Sequence, residues 1–218
     1  MASDTTFEIQ VQDDHVERLS HTRKPILAVA ELVWNALDAD ADRIDITLER
    51  DELEGLKAIV VADDGHGMDH EEAISLFSKL GGSWKKSRRY SREKKRLLHG
   101  QEGKGRLRSY SLGRAIDWTV RYKGADGLRE FMISLIKDRP RHGQVSPDVI
   151  APEGTSRGAT VRISELHHEF RSLDGPDTIN DLAMIFALYL RQYKSVRIFH
   201  NHDRTDQRGG LFGPVPLA

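Results

Sequence analysis

The order in which strand-like and helix-like segments follow one another limits this chain more than any other feature of its sequence. Apolar and polar residues alternate in RIDITLE (43–49) and ATVRISEL (159–166), which predicts two half-buried strands. Apolar residues have helical spacing in PILAVAELVWNALDA (25–39) and DTINDLAMIFALYLRQY (177–193). Strands followed by helices, with paired strands in the second half, predict a two-layer α/β sandwich. In that fold, helices cover one face of a mixed, mostly antiparallel sheet.

The remaining segments agree with this plan. Further strands are predicted at residues 7–11, 56–65 and 195–201, together with a strand pair at 115–137 that turns at GADG. Further helices are predicted at 69–80, with Asp69 as the N-cap, and at 105–113. Residues 141–158 are expected to be rich in loops.

Composition excludes several kinds of site. The chain has 218 residues, no cysteine and a formal net charge of −1. The length suits one well-buried domain, and the absence of cysteine excludes disulfides and thiolate metal sites. A charge this close to zero gives the whole molecule no strong attraction to nucleic acid or membrane. Because no apolar run approaches a membrane span and MASDTTFEIQ has no secretory pattern, we expect a cytoplasmic protein with no membrane partner.

Polar residues interrupt the helix predicted at 25–39. Glu31, Asn35 and Asp38 are spaced i, i+4 and i+7, so they share one face of the helix. A solvated face would account for them without any function. A second interpretation is a binding site along that face.

A strand then runs into the glycine-bracketed turn VVADDGHGMD (60–69). Asp63 comes at the strand end, Gly65 and Gly67 let a ligand approach the backbone closely, and Met68 follows. A buried carboxylate at this position needs a partner. The turn could also be closed by its own side-chain hydrogen bonds, as Asp-Gly turns often are.

The third pattern is GQEGKG (100–105), a GxxGxG sequence ahead of a predicted short helix. Free N–H groups of glycine-rich backbone at a helix N-terminus bind phosphate. A flexible linker would have the same composition. The pattern does not follow a strand and has no GK[ST], so Rossmann and P-loop nucleotide folds are disfavoured.

Taken together and in this order, ExxxNxxDA, DxGxG and GxxGxG resemble the GHKL superfamily of ATPases, which has the Bergerat fold. The resemblance covers about residues 7–200 and is nearest to the MutL, MORC-type and heat-shock chaperone branch. It implies an ATP-binding domain at 1–200 with an ATP lid at about 81–105. Residues 201–218 would then be a tail or the start of a following domain in a larger protein.

The resemblance also implies a role for each polar residue of the first two patterns. Glu31 is the general base for the attacking water, and Asn35 binds Mg²⁺. Asp38 supports the adenine and ribose side of the nucleotide, and Asp63 accepts a hydrogen bond from the adenine amino group.

The other residues that the resemblance implies surround the purine ring and the phosphates. Near the purine these are Gly65, Gly67 and Met68. Around the phosphates they are Gly100, Gly103 and Gly105, with added charge from Lys104 and Arg106.

One pattern departs from the family. The fourth motif is usually a Gly-Thr that opens a strand, with its hydroxyl near the adenine-binding aspartate. Here the strand opens GATV (158–161), so Ala159 occupies the expected threonine position. Thr160, one residue later, and Thr155, after Gly154, are the two candidate replacements.

The segment that corresponds to the lid is basic. Residues 85–108 contain eleven Lys or Arg and two Glu. They form either a solvated, flexible charge run or a contact with the triphosphate, a partner subunit or a nucleic-acid backbone. Because residues 81–104 are polar and bounded by glycine, we expect them to lack order without nucleotide.

The predicted function is Mg²⁺-dependent ATP binding with slow hydrolysis to ADP and phosphate. We expect this cycle to drive lid closure or an ATP-dependent homodimer. Two alternatives stay open. One is a nucleotide-binding sensor or scaffold without meaningful turnover, and the other is a catalytic domain of the histidine-kinase type.

Overall fold

Helices cover one face of a single sheet in the computed structural model, which describes residues 3–9, 24–78, 89–99, 108–139, 141–203 and 215–216. The described helices are α1 (Pro25–Asp38), α2 (His70–Ser78) and α3 (Pro176–Gln192), with two short 3-10 turns at Ser109–Ser111 and Arg171–Leu173. The described strands are β1 (Thr5–Glu8), β2 (Arg43–Arg50), β3 (Leu56–Asp63), β4 (Gly113–Gly124), β5 (Gly127–Ile136), β6 (His142–Val145), β7 (Val149–Ile150), β8 (Gly158–Leu166), β9 (Arg197–Asp203) and β10 (Val215–Pro216).

The sheet is mixed and mostly antiparallel, as predicted. Its strand order is β1-β6-β5-β4-β8-β3-β2-β9-β10, and β7 pairs with β5. Strands β2 and β9 run parallel, whereas the other described pairs are antiparallel. The predicted two-layer α/β sandwich is therefore confirmed.

Side-chain alternation sets the buried face of the sheet. Ile46 of β2 lies opposite Val61 of β3, and Val61 lies opposite Val161 of β8. All three are buried in one cluster that also contains apolar residues of α1 and α3. Asp63 lies two residues after Val61, so its side chain is on this same helix-covered face at the end of β3.

Most predicted elements are present with bounds that differ by a few residues. The Asp69 side chain accepts the Glu72 N–H at 2.8 Å, which confirms Asp69 as the N-cap of α2. In the helix predicted at 105–113, residues 105–107 lie outside the described residues, Arg108 is helical and Ser109–Ser111 form a 3-10 turn, and strand β4 begins at Gly113. The ends of the predictions at 7–11 and 69–80 lie outside the described residues.

Residues 141–158 are rich in loops, as predicted, but they also contain two short strands, β6 and β7, that were not predicted. Gly143 of β6 lies under the Phe7 ring, where a Cβ would come within 2.2 Å of Cζ. A glycine is a poor strand former, but it is the residue that fits at such a close contact. The strand is therefore specified by its neighbours more than by its own composition.

Within the described ranges, no helix combines the length and the apolar character that crossing a bilayer requires.

Candidate nucleotide-binding site

Helix α1 presents its polar residues at increasing depth. Its apolar side packs into the core through residues such as Leu32, Val33 and Leu37. On the other side, the Glu31 side chain is 28% exposed, Asn35 is partly exposed and Asp38 is buried. The helix thus carries a polar edge that runs from the surface into the protein, which is not the pattern of a purely solvated face.

The buried end of this edge is bound to another part of the chain. The Asp38 carboxylate accepts a hydrogen bond from the His99 N–H at 2.9 Å. The His99 ring stacks on Trp34 with centroids 3.7 Å apart and an angle of 11° between the planes. Asp38 therefore connects α1 to the segment that precedes the glycine-rich pattern.

The Asp63 carboxylate is held by backbone amides. Its Oδ1 accepts the Gly65 N–H at 2.8 Å and the Ala159 N–H at 3.3 Å. Desolvation of the carboxyl group raises the pKa of Asp63 to about 6, although both hydrogen bonds act to lower it. Both hydrogen bonds use Oδ1, which leaves Oδ2 as the oxygen available to a ligand.

The turn after Asp63 packs backbone against backbone. The His66 N–H donates to the Ala39 carbonyl at 2.8 Å, so the turn lies against the end of α1. A Cβ on Gly65 would come within 2.7 Å of the same carbonyl oxygen. Gly67 has a φ of +65°, and a Cβ there would lie 2.4 Å from the Arg121 carbonyl oxygen. Both positions require glycine, and Met68 follows as a partly buried residue packed against the core.

The start of strand β8 forms the other side of this pocket. Gly158 has a φ of +139°, and a Cβ on it would lie 1.9 Å from the Asp63 carbonyl oxygen. Ala159 follows on the same face as Asp63, whereas Thr160 pairs with Ala62 and points to the opposite, open face of the sheet. The Thr155 hydroxyl donates to Pro152 in the preceding loop. The structure thus places the backbone of Ala159 beside Asp63, and not the Thr160 side chain.

The glycine-rich pattern lies outside the described residues. These residues are Gly100, Gly103, Lys104, Gly105 and Arg106. The description resumes at Arg108, whose Nη1 forms an ion pair with Glu31 Oε1. Arg108, three residues after the end of the GQEGKG pattern, therefore contacts Glu31, the first residue of the ExxxNxxDA pattern. This contact was not predicted from the sequence.

Residues 89–99, which we call the 89–99 segment, are folded back on themselves. Tyr90 and Leu97 form an antiparallel bridge, and the Ser91 N–H donates to the Arg96 carbonyl at 2.8 Å. The buried Asp40 carboxylate holds this turn: it accepts the Ser91 hydroxyl at 2.5 Å and the Glu93 N–H at 2.8 Å. The 89–99 segment therefore has specific contacts in this structure, and the expectation that residues 81–104 lack order without nucleotide stays a prediction.

A second aspartate completes the attachment. Asp42 accepts hydrogen bonds from Lys94 at 2.5 Å, from Arg96 and from Ser195 at 2.9 Å. Burial acts to raise the pKa of Asp42, but these hydrogen bonds together lower it to about 2. Arg96 is buried and also donates to the Ala41 carbonyl at 2.6 Å. Asp38, Asp40 and Asp42 of the sequence DADAD thus each contact the 89–99 segment.

Several basic residues of the run at 85–108 are consequently paired with acids of the same chain. Arg92 pairs with Glu72 on α2, Lys94 and Arg96 with Asp42, and Arg108 with Glu31. Sequence reasoning missed these partners because each acid lies far from its base along the chain. The sequence did contain one signal for this pairing, namely the alternating aspartates of DADAD (38–42) together with the basic run at 85–108.

The donor set at Asn35 fits a magnesium ion. Mg²⁺ keeps most of its water and phosphate ligands and takes few oxygens from protein. Asn35 offers one neutral amide oxygen on a partly exposed edge, one helical turn after Glu31. Asn35 would be a single protein ligand, since the described part of the chain contains no cluster of three or more His, Asp or Glu that could hold a metal.

Comparisons with known proteins agree with this arrangement. A family model described as "Histidine kinase-, DNA gyrase B-, and HSP90-like ATPase" matches residues 24–154. The mouse protein ATPase MORC2A is 37% identical over 135 residues, which cover 61% of this chain and 12% of that protein, and human ATPase MORC2 gives the same values. The DNA mismatch repair protein MutL of Halobacterium salinarum is 30% identical over 155 residues, which cover 67% of this chain and 20% of that protein.

The chain thus spans a small part of the length of these relatives. The family match covers more than half of the chain and includes α1, the Asp63 turn and the 89–99 segment. On this evidence the chain belongs to the histidine kinase-, DNA gyrase B- and HSP90-like ATPase family.

Proposed function

We propose that this chain binds Mg²⁺-ATP and hydrolyses it slowly to ADP and phosphate, and that the cycle drives lid closure or dimerisation in a larger protein. The observation that carries the proposal is that the first two patterns lie together, and that the described residues on either side of the third pattern contact the first. The Asp63 turn packs on Ala39 at the end of α1. Arg108, which follows the glycine-rich pattern, pairs with Glu31 at the other end of the polar edge.

The adenine would be read by Asp63. Its Oδ1 is occupied by two backbone N–H groups, so Oδ2 is oriented to accept a hydrogen bond from the adenine amino group. Guanine presents a carbonyl oxygen at that position, which a carboxylate oxygen cannot bind. Gly65 and Gly67 keep side chains out of the space beside the ring, and Met68 supplies apolar surface for it.

The phosphates would lie toward Asn35 and Glu31. Gly100, Gly103 and Gly105 would supply backbone N–H groups, and Lys104 and Arg106 positive charge, to the triphosphate. When bound, Mg²⁺ would neutralise part of the negative charge of the phosphates. Asn35 would hold it without adding a negative charge. Glu31 would accept a proton from the attacking water, a contribution typically worth about 10²–10⁴-fold in rate.

A switch is supported by the contact between Asp38 and His99. This hydrogen bond joins a proposed nucleotide residue to the 89–99 segment, so a change at the nucleotide reaches that segment directly. Segments beside a γ-phosphate are commonly ordered by triphosphate and released after hydrolysis. We therefore propose an ATP-dependent homodimer as the output, tested by sedimentation of the chain with an ATP analogue, with ADP and without nucleotide.

A nucleic-acid partner at residues 85–108 stays a prediction. In its favour, one relative, MutL, is named a DNA mismatch repair protein. Against such a partner, Arg92, Lys94, Arg96 and Arg108 are already paired with acids of the same chain. These four cations are therefore not a free basic surface.

The test of the proposal is Glu31→Ala, compared with Glu71→Ala on the exposed face of α2. We expect Glu31→Ala to bind an ATP analogue as the parent does and to lose phosphate release by about 10²-fold or more. Glu71→Ala should behave as the parent. Turnover that is equal in Glu31→Ala and parent would exclude Glu31 as the base. A parent that binds ATP without any turnover would instead support the sensor alternative.

A further inference from the structure

The residue that follows the glycine-rich pattern contacts the proposed base. Arg108 Nη1 pairs with Glu31 Oε1, although the two residues are 77 positions apart in the sequence. The resemblance to the family assigned charge at Lys104 and Arg106 and gave no role to Arg108. The contact therefore requires its own explanation.

The position of Arg108 is fixed by its neighbours. Ser109, Tyr110 and Leu112 are fully buried, and the 3-10 turn Ser109–Ser111 packs against α1. The Ser111 hydroxyl donates to the Arg108 carbonyl at 2.6 Å, and the Leu112 N–H donates to the Ser109 carbonyl at 2.9 Å. The backbone beneath the guanidinium is thus anchored in the core, which distinguishes this pair from a chance contact between two mobile surface side chains.

Stability does not explain the pair. The Arg108 and Glu31 side chains are 40% and 28% exposed, so solvent screens their attraction. Pairs this exposed contribute little to folding. Arg114 of β4 and Asp138 form an even more exposed pair, in which the two side chains are 51% and 58% exposed. Of these two pairs, only Arg108–Glu31 involves a residue of the polar edge of α1.

The chemistry of general bases offers a role for the contact. A base acts well when a third group fixes its orientation, as in catalytic triads. Arg108 takes one carboxylate oxygen of Glu31, and the second oxygen can then accept the proton of a water. The positive charge also offsets the repulsion between the Glu31 carboxylate and a nearby terminal phosphate.

We propose that Arg108 is a positioning residue that acts through Glu31, holding the carboxylate for the attacking water. This inference rests on the proposed function, since it needs Glu31 to be the base. In this account Arg108 does not bind the phosphates. Its loss therefore affects the chemical step and leaves nucleotide affinity as it was.

The experiment uses the whole 218-residue chain and four variants: Arg108→Ala, Arg108→Lys, Glu31→Gln and the double variant Arg108→Ala with Glu31→Gln. Arg114→Ala is the matched control. For each protein we would measure kcat and KM for Mg²⁺-ATP, the affinities for a non-hydrolysable ATP analogue and for ADP, and the melting temperature.

We expect Arg108→Ala to lower kcat by about tenfold or more, with analogue and ADP affinities within about twofold of the parent. Arg108→Lys should recover part of kcat, because lysine restores the charge but not the planar fork. In single-turnover assays, Arg108→Ala should add no further loss to Glu31→Gln. A residue with a purely structural role would instead shift melting and affinity in both backgrounds.

Three results would overturn the inference. The first is an Arg108→Ala variant with the kcat of the parent. The second is a selective loss of affinity for the ATP analogue over ADP, which would make Arg108 a phosphate ligand. The third is an additive loss of rate in the double variant. Failure of the proposed function is recognised separately, because in that case Glu31→Gln alone would retain the turnover of the parent.

Discussion

The Asp63 turn and the 89–99 segment lie at the same end of helix α1, but different forces hold them. The turn is fixed by backbone atoms in close contact, with glycines at 65, 67 and 158 where a Cβ would collide. The 89–99 segment is fixed by charged side chains, through Asp40 and Asp42. Steric fit of this kind does not respond to salt, whereas partly exposed ion pairs do. The turn is therefore the rigid wall of the site, and the segment is the part that can respond.

The largest expected effect is on the turn. Gly67→Ala places a Cβ at a φ of +65° and 2.4 Å from the Arg121 carbonyl oxygen. We expect a loss of about 2–4 kcal/mol in the free energy of unfolding, from left-handed strain and overpacking together. Denaturant unfolding measures it.

The matched control for that change is Gly154→Ala. Gly154 has a φ of +78°, but no atom lies within 4 Å of its would-be Cβ. It should lose about 1–2 kcal/mol, the strain alone. Equal losses in the two variants would show that close packing does not hold the turn.

The second prediction separates binding from stability at Asp63. Asp63→Asn keeps an oxygen for the Gly65 and Ala159 N–H groups but turns a donor toward the adenine amino group. We expect nucleotide affinity to fall by about 1–3 kcal/mol. The control is Asp64→Asn, since exposed Asp64 instead accepts the Asp42 and Arg43 N–H groups at 2.8 Å. Affinity that falls equally in both variants would contradict the assignment.

The same carboxyl group gives a pH dependence. Burial raises the pKa of Asp63 to about 6, above the value of an unfolded aspartate. Its contribution to stability is therefore fully present below about pH 4 and is lost as the pH rises through about 6. Asp63→Asn should accordingly not lower the free energy of unfolding at pH 7. Nucleotide affinity of the parent should weaken below pH 6, where protonated Asp63 accepts poorly, and this component should be missing in Asp63→Asn.

The third prediction concerns the 89–99 segment. Asp42→Ala removes a carboxylate partner from Lys94 and Arg96, although Arg96 keeps the Ala41 carbonyl and Ser195. The pair is partly exposed, so we expect about 1 kcal/mol, which corresponds to cleavage by trypsin about fivefold faster at 92–96. Asp138→Ala removes the exposed pair with Arg114 and is the control.

Because hydrogen bonds lower the pKa of Asp42 to about 2, its stabilisation should persist at neutral pH and disappear as the pH falls from about 4 toward 2. Trypsin cleavage rates that respond neither to the variant nor to salt would contradict attachment by charge. Because trypsin is inactive in acid, the pH dependence is measured by denaturant unfolding of the parent and of Asp42→Ala.

The fourth prediction concerns Ala159, and its expected size is similar to that of the third. Ala159→Thr supplies the hydroxyl that the family usually has beside the adenine-binding aspartate. We expect ATP affinity to rise by about 1 kcal/mol, the net value of one hydrogen bond. Ala159→Val has a similar shape without the hydroxyl and is the control. A gain that is the same for both would reflect packing and not the hydroxyl.

Sequence reasoning succeeded where the signal is local. The bounds of α1, β2 and β3 follow from periodicity, and the Asp63 turn follows from glycines that backbone contact demands. It failed at β6, where Gly143 fits under Phe7 only because β1 pairs there.

The 89–99 segment and the Arg108 contact were also missed, for a related reason. Their partners are 51 and 77 positions away along the chain, and a charge has no periodicity that reveals its partner. A basic run looks the same whether it is solvated or paired. The sequence therefore identified the glycines and the polar residues of the site, and what it missed was the pairing between charged or polar side chains that lie far apart along the chain.

The most direct test of the account is a binding titration of the unaltered chain with Mg²⁺ and non-hydrolysable analogues of ATP and GTP. The account predicts that the ATP analogue binds at least about tenfold more tightly, because Asp63 needs the adenine amino group as its donor. Equal affinities for the two analogues, or no binding of the ATP analogue, would contradict it.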